Sequence, residues 1–489
     1  MRKLLYIALA CMLAGCGRVS APEEFTESQD SARVYPAYQD VVVPRNLAPL
    51  TFHVENKADR VICVLSDGRQ SFAYEGPDIE PAAKEWRMLD GQVSVDTYVK
   101  NNDRWSKLRS FTFTISNDSI DPYISYRLIS PSYVTYEGLT ICQRNLEAYD
   151  ESVIYSNMAN SNEKDGQCIN CHSYQNYDPD RFQFHVRQAH GGTIIARDGK
   201  IERIDMKSDK AISAGVYPAW HPTANLIAYS TNRTGQSFHT HSNQKVEVQD
   251  TYSDLILYDV DNHEILPLES DSNQLDCFPH WSPDGRYLYF CSAYYEKKDT
   301  SASVTKEYDM IMNYQDVHYN LYRRSFDLKS KSFGAREIVY DAARDSMSAT
   351  LPRVSPDGRW LMFTMAPYGV FHIWHKAADL YLMNLESMET RRLEEINSPE
   401  VESYHSWSSN NRWVIFSSRR DDGNFTRPFI AHMMPDGRFS RPLELPSRHP
   451  LYHRELMRSY NIPEFMSGPV TIRPQDLARA IRQDSIKAK

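Results

Sequence analysis

Asp276-Cys277-Phe278-Pro279-His280-Trp281-Ser282-Pro283-Asp284-Gly285-Arg286-Tyr287-Leu288-Tyr289-Phe290 reads as a strand, a tight turn and a second strand. In Ser282-Pro283-Asp284-Gly285 the proline presets φ at the second turn position, and the glycine supplies a positive φ at the end. After the turn, Tyr287, Tyr289 and Cys291 alternate with Leu288 and Phe290, which is strand period. The pattern returns at Leu351–Phe363, where Val354 stands in the place of Trp281, and in looser form at Tyr217–Ser230 and Tyr404–Phe416. A further strand-like run follows, as at Asp254–Val260 and Asp379–Leu385, so each copy supplies two hairpins. Two hairpins make a four-stranded blade, and blades repeated radially make a propeller. The anchors Trp220, Trp281, Val354 and Trp407 are 61, 73 and 53 residues apart, against about 40–50 for a usual blade. Polar insertions at 236–249 and 294–318 account for the excess, and such loops are where a rigid scaffold carries function.

These repeats resemble those of TolB-type propellers, which read D-x-x-P-x-W-S-P-D-G before an apolar strand. The match is close at Asp276–Ser292 and good at Pro352–Thr364, and the resemblance covers roughly residues 183–447. It implies a six-bladed ring. Four blades are legible; Gly191–Ile195 with Arg203–Asp205 is expected to be a fifth, and Tyr123–Arg144 to supply a sixth. In the Tyr404 copy, His405 stands where the others have Pro218, Pro279 and Pro352. His405 and His280 are expected either to face the central opening or to be solvated beside a turn.

The cysteines are Cys11, Cys16, Cys63, Cys142, Cys168, Cys171, Cys277 and Cys291. Cys168-Ile169-Asn170-Cys171-His172 is C-x-x-C-H, the c-type haem attachment pattern. Each thiol bonds one vinyl group of the macrocycle, and the adjacent imidazole becomes the proximal iron ligand. Two residues between the thiols in a helical turn would place them on neighbouring edges. One haem c is therefore expected, held by Cys168 and Cys171, with His172 on the iron and His185 as candidate distal ligand. Met158 and His190 are the other nearby candidates, and a vacant sixth position stays open. The competing readings are a redox pair, half a zinc site and a structural disulfide; no second C-x-x-C is present. Cys277 and Cys291 lie seven residues either side of Asp284, so paired strands could set them opposite one another, as a disulfide or as two buried thiols.

Met1-Arg2-Lys3 precedes an apolar run from Leu4 to Leu13, and Leu13-Ala14-Gly15-Cys16 follows. A basic start, a short apolar core and small residues before a cysteine resemble the lipobox of bacterial lipoproteins. That resemblance implies lipid on Cys16 and a membrane anchor. With Gly17 after the cysteine, it implies the outer membrane of a Gram-negative bacterium. The expected organisation is a signal peptide at 1–16, a flexible tether at 17–35 and a small β domain, sandwich-like, at 36–120. A connecting region with the haem motif follows at 121–182, then the propeller at 183–447 and a tail with a short helix at 448–489. Leu477 and Ile481 would share one side of that helix.

The fold class is thus mainly β. The net charge of −9 and the lack of a long basic run argue against nucleic-acid binding. No G-x-S-x-G elbow, H-E-x-x-H helix or P-loop is present, and Ser303-Val304-Thr305-Lys306 lacks the companions of an S-x-x-K site. An electron carrier or binding protein is expected more than an enzyme, and an enzyme working at an open haem position is the third reading. The first reading is electron transfer or redox relay with an envelope protein docked on the propeller. The alternative is a non-enzymatic binding scaffold with a structural or sensory haem, or none.

Overall fold

The computed structural model describes residues 19–130, 138–161, 166–239, 246–268 and 271–489. Cys16 and the lipobox lie outside them. Among the described residues, no helix is long and apolar enough to cross a membrane.

Six four-stranded units form a closed ring. Blade 1 is Gln167–Gln175, Asp178–Gln188, Gly192–Arg197 and Lys200–Asp205, and Ile486–Lys487 adds a parallel edge. Blade 2 is Val216–Trp220, Leu226–Phe238, Val246–Asp259 and Glu264–Pro267; blade 3 is Gln274–Trp281, Tyr287–Tyr294, Asn320–Asp327 and Ser332–Tyr340. Blade 4 is Ser348–Val354, Trp360–Ala366, Asp379–Asn384 and Thr390–Arg392; blade 5 is Glu402–Trp407, Trp413–Ser418, Arg427–His432 and Leu443–Glu444. Blade 6 is composite: its inner strand is Ser459–Met466, and its outer three are Tyr123–Ile129, Thr140–Asn145 and Glu151–Ser156. The inner strand of each blade touches the next, and that of blade 6 returns to blade 1.

The expected boundaries change accordingly. The region 121–182 is not a connector: it builds most of blade 6 and the inner strand of blade 1. The tail after 447 is more than a helix, because Ser459–Met466 closes the ring. Its helix, Pro474–Arg482, buries Leu477 and Ile481 against blades 1 and 6. The tether is partly ordered, since Thr26–Ser31 pairs in parallel with Arg104–Arg109. That strand joins a seven-stranded sheet, which with a three-stranded sheet makes the N-terminal unit. Its core is continuous with Trp413, Ile430, Leu443 and Tyr460 of blades 5 and 6.

The repeat turns are built alike. Ser282 Oγ donates to Asp284, Tyr287 N donates back to Ser282 Oγ, and Gly285 takes φ 70°. Ser355, Asp357, Trp360 and Gly358 repeat this with φ 73°. In the degenerate copy Ser408 and Asn410 play the same parts, and Asn411 takes φ 61° in place of glycine, the non-glycine residue that best tolerates that region.

A second regularity appears only in the register. Each inner strand carries a bulge in which two residues oppose one on the second strand. The first bulge residue is left-handed in every blade: Cys171, Tyr217, Phe278, Leu351, Tyr404 and Ile462 have φ between 48° and 55°. The second is Pro218, Pro279, Pro352 and Pro463 in blades 2, 3, 4 and 6. Proline suits a position whose N–H has no ladder partner. Blades 1 and 5 have His172 and His405 there instead.

Candidate functional site

The bulges set three stacked rings around the axis. The left-handed residues form an apolar ring about a space of about 30 Å³. Phe371, from the loop after the second strand of blade 4, lies 6.4 Å from the Tyr217 ring and 6.3 Å from that of Tyr404, which stand on opposite blades. Two residues after each left-handed position come Ser173, Ala219, His280, Arg353, Ser406 and Glu464, which form a throat. Arg353 Nη2 lies 3.5 Å from Glu464 Oε1 across it. Next come Tyr174, Trp220, Trp281, Val354, Trp407 and Phe465, an aromatic collar with one gap. Three indole N–H groups tie neighbouring blades: Trp220 donates to Ser173 O (3.3 Å), Trp281 to Ala219 O (3.1 Å) and Trp407 to Arg353 O (3.1 Å).

Below the throat the passage widens into a funnel of about 540 Å³, walled by the collar and by Pro222, Pro283, Pro356 and Ser409 of the repeat turns. It lies on the face where the inner strands end. Burial pushes the Glu464 carboxyl up to about 7 against the opposing effect of Arg353. Burial, with Arg353 beside it, holds His280 far below its ordinary value and so neutral.

C-x-x-C-H falls within the uppermost part of this arrangement. It lies in an extended strand, not a helical turn. The physical reason is the repeat: Cys171-His172 fills the bulge that Tyr217-Pro218 and Phe278-Pro279 fill elsewhere. An extended chain separates residues i and i+3 by roughly 10 Å, against about 5–6 Å in a helix. The thiols of Cys168 and Cys171 are free, the second fully buried with its pKa raised by that burial. The Cys171 carbonyl accepts a hydrogen bond from Gln183 Nε2.

His172 enters the slot between blades 1 and 6. Burial lowers its pKa to about 3. The backbone of Ser125 and Ile462 lies beside the ring, yet neither ring nitrogen completes a hydrogen bond of ordinary geometry. His405 enters the equivalent slot between blades 5 and 4, and there Nε2 reaches Met362 O at 3.0 Å. By register Met362 corresponds to Ser125, since each opposes the throat residue of its blade, Arg353 or Glu464.

The donors at Cys168, Cys171 and His172 have the chemistry a c-type haem requires: free thiols and a neutral, unpartnered imidazole. The arrangement does not seat the macrocycle. The thiols are spread along a strand, the imidazole is wedged between blades, and the adjoining space is about 30 Å³. His185 is buried on the second strand of blade 1, opposite Asn170, with Nδ1 3.2 Å from Thr193 Oγ1 and a pKa lowered to about 3 by burial. Its ring lies beside Thr193, whereas that of His172 lies beside the backbone of Ser125 and Ile462. Met158 is exposed, and His190 is left-handed in a hairpin turn. Cys277 and Cys291 do stand directly opposite one another, as free thiols, with the Cys291 sulfur 3.3 Å from the Cys277 carbonyl. Among the described residues no three His, Cys, Asp or Glu side chains are disposed to hold a metal ion.

Sequence reasoning missed Arg353, Glu464 and Phe371. Arg353 was within reach, because it stands between Pro352 and the anchor Val354, as His280 stands between Pro279 and Trp281. Ile462-Pro463-Glu464-Phe465 carries the same signature, but no Ser-Pro-Asp-Gly follows it.

No protein-family model matches the chain, and no curated protein sequence is significantly similar to it. Among solved structures, TolB from Acinetobacter baumannii is similar over 79% of this chain and 85% of its own, at 13% identity and a TM-score of 0.43. Prolyl oligopeptidase B from Galerina marginata is similar over 66% of this chain, at 11% identity and a TM-score of 0.36; the tricorn protease over 80%, at 13% and 0.31. The chain spans under half the length of each of these two peptidases, 44% and 36%. The likeness is one of overall β-propeller architecture, and no residue of the throat or collar is assigned a role by it.

Proposed function

We propose that this chain is a binding propeller of the bacterial cell envelope, which takes a segment of a partner protein into the funnel below the throat. The observation that carries the reading is the shape and lining of the funnel. It is about 540 Å³, collared by three indoles and closed at depth by the Arg353–Glu464 pair. Concave sites with a few converging polar groups are the usual ligand sites of proteins, and arginine is a usual anchor of protein contacts. The envelope setting rests on the lipobox resemblance at Cys16 and on the TolB-like repeats. A photocrosslinking amino acid in place of Tyr177, on the funnel wall, tests the reading in cells. A discrete adduct is expected, absent when the same group replaces Lys329 on an exposed turn. No adduct, or the same products from both positions, defeats it.

The second reading is one covalent haem c in an electron carrier, bound through Cys168, Cys171 and His172. What supports it is the C-x-x-C-H spacing and the unpartnered, neutral His172 ring. It requires the inner strand of blade 1 to sit differently from the strand described above. Protein made in cells competent for cytochrome maturation decides it. Haem retained after denaturation and lost in Cys168→Ala/Cys171→Ala supports it; a chain with no added haem mass removes it.

A further inference from the structure

We infer that the funnel recognises a chain end, and that a free C-terminal carboxylate is the group that reaches Arg353. The inference rests on the funnel reading and gives it a ligand chemistry. Three observations lead to it. First, the passage is closed beyond the throat: the space within the apolar ring is about 30 Å³, room for a water molecule and not for a polypeptide. A segment entering from the wide face meets Arg353 with its terminus, because it cannot thread through.

Second, Arg353 is poorly matched to the partner it has. A well-formed arginine–carboxylate pair is two-pronged at about 2.7–2.9 Å. Here Arg353 Nη2 meets Glu464 Oε1 at 3.5 Å, with their side chains 26% and 11% exposed. Burial makes Glu464 easily neutralised near pH 7. A carboxylate that arrives with better geometry displaces Glu464 and leaves it to take up a proton, so no anion is left buried and unpaired. Third, the rest of the throat suits that exchange. Ser173 and Ser406 can donate hydrogen bonds, and Glu464 is the one carboxylate among the six throat residues. Trp220, Trp281 and Trp407 stand one step wider, with their rings buried between the blades, so that they hold the rim of the throat in place.

An array of acetylated hexapeptides, randomised in the last three positions and ending either in a free acid or in a carboxamide, is read against the full chain. Acids are expected to bind at least tenfold more tightly than the matching amides. Arg353→Met should abolish the difference, Arg353→Lys should keep part of it, and Glu464→Gln should tighten acid binding several-fold by removing the internal competitor. Thermal melts show that each variant is folded. Equal binding of acids and amides overturns this inference and leaves the funnel reading standing. Binding of neither series, together with no crosslink from Tyr177, overturns both.

Discussion

Glu464 and the two bulge histidines show how much one side chain decides at the axis. Because the folded pKa of Glu464 is raised from its ordinary 4.5 to about 7, its contribution to stability is fully present below pH 4.5 and is lost as pH rises through 7. The stability of the wild-type chain relative to Glu464→Gln should therefore fall across that interval, by about 3 kcal/mol at most. Arg353, Tyr174 and Tyr177 are the other ionisable groups beside it. Denaturant melts of both proteins at pH 4.5 and pH 8 check this, and an unchanged difference contradicts it. The histidines make a matched pair. His405 accepts the cost of burial with a hydrogen bond to Met362 O, whereas His172 completes none. Since four blades already hold proline at this position, His172→Pro should be neutral or stabilising by up to about 1 kcal/mol. His405→Pro should destabilise by about 1 kcal/mol, because it removes the hydrogen bond to the Met362 carbonyl. Should His172→Pro instead unfold the chain, its ring does something in the folded state that packing does not show.

At the scale of elements, the blades are joined by a repeated contact. The indole N–H of one inner strand binds a carbonyl of the blade before it. Trp407→Phe keeps most of the apolar surface but removes the donor to the part-buried Arg353 carbonyl, which keeps its place opposite Met362. A loss of about 1 kcal/mol is expected in urea unfolding, from the missing bond. Val354 holds the same place in blade 4 without a donor, so Val354→Ala should cost through lost packing alone. The closing strand matters more than any indole. Ser459–Met466 is the inner strand of blade 6, and the helix Pro474–Arg482 packs its buried face against blades 1 and 6. Truncation after Leu456 would expose the inner edge of Tyr123–Ile129 and open the ring. Such a chain should aggregate or lose cooperative unfolding, as seen by light scattering and circular dichroism, rather than lose one blade cleanly.

At the scale of the molecule, the N-terminal unit and the ring share one core, in which Val43, Phe52 and Phe113 lie in the same cluster as Trp413, Ile430 and Phe465. Units joined by a large apolar interface do not unfold separately. Calorimetry of the chain should show a single transition; two resolved transitions would mean that the shared core contributes little. The unit also packs on blades 5 and 6, and Ser119 and Asp121 at its end bond Asn410 and Ser409 of the blade 5 turn beside the funnel.

Local sequence determined the hairpins, the Ser-Pro-Asp-Gly turns, the aromatic anchors and the amphipathic tail helix, because each depends on residues within about ten positions of one another and on backbone preferences that act locally. Folding alone decided that residues 123–156 and 459–466 share a blade, that C-x-x-C-H lies across a bulge rather than in a helical turn, and that Arg353 faces Glu464. Those facts depend on ring closure and strand register. One inserted residue changes which side chains point at the axis, and in the Cys171 and Ile462 blades no neighbouring turn motif announces the phase.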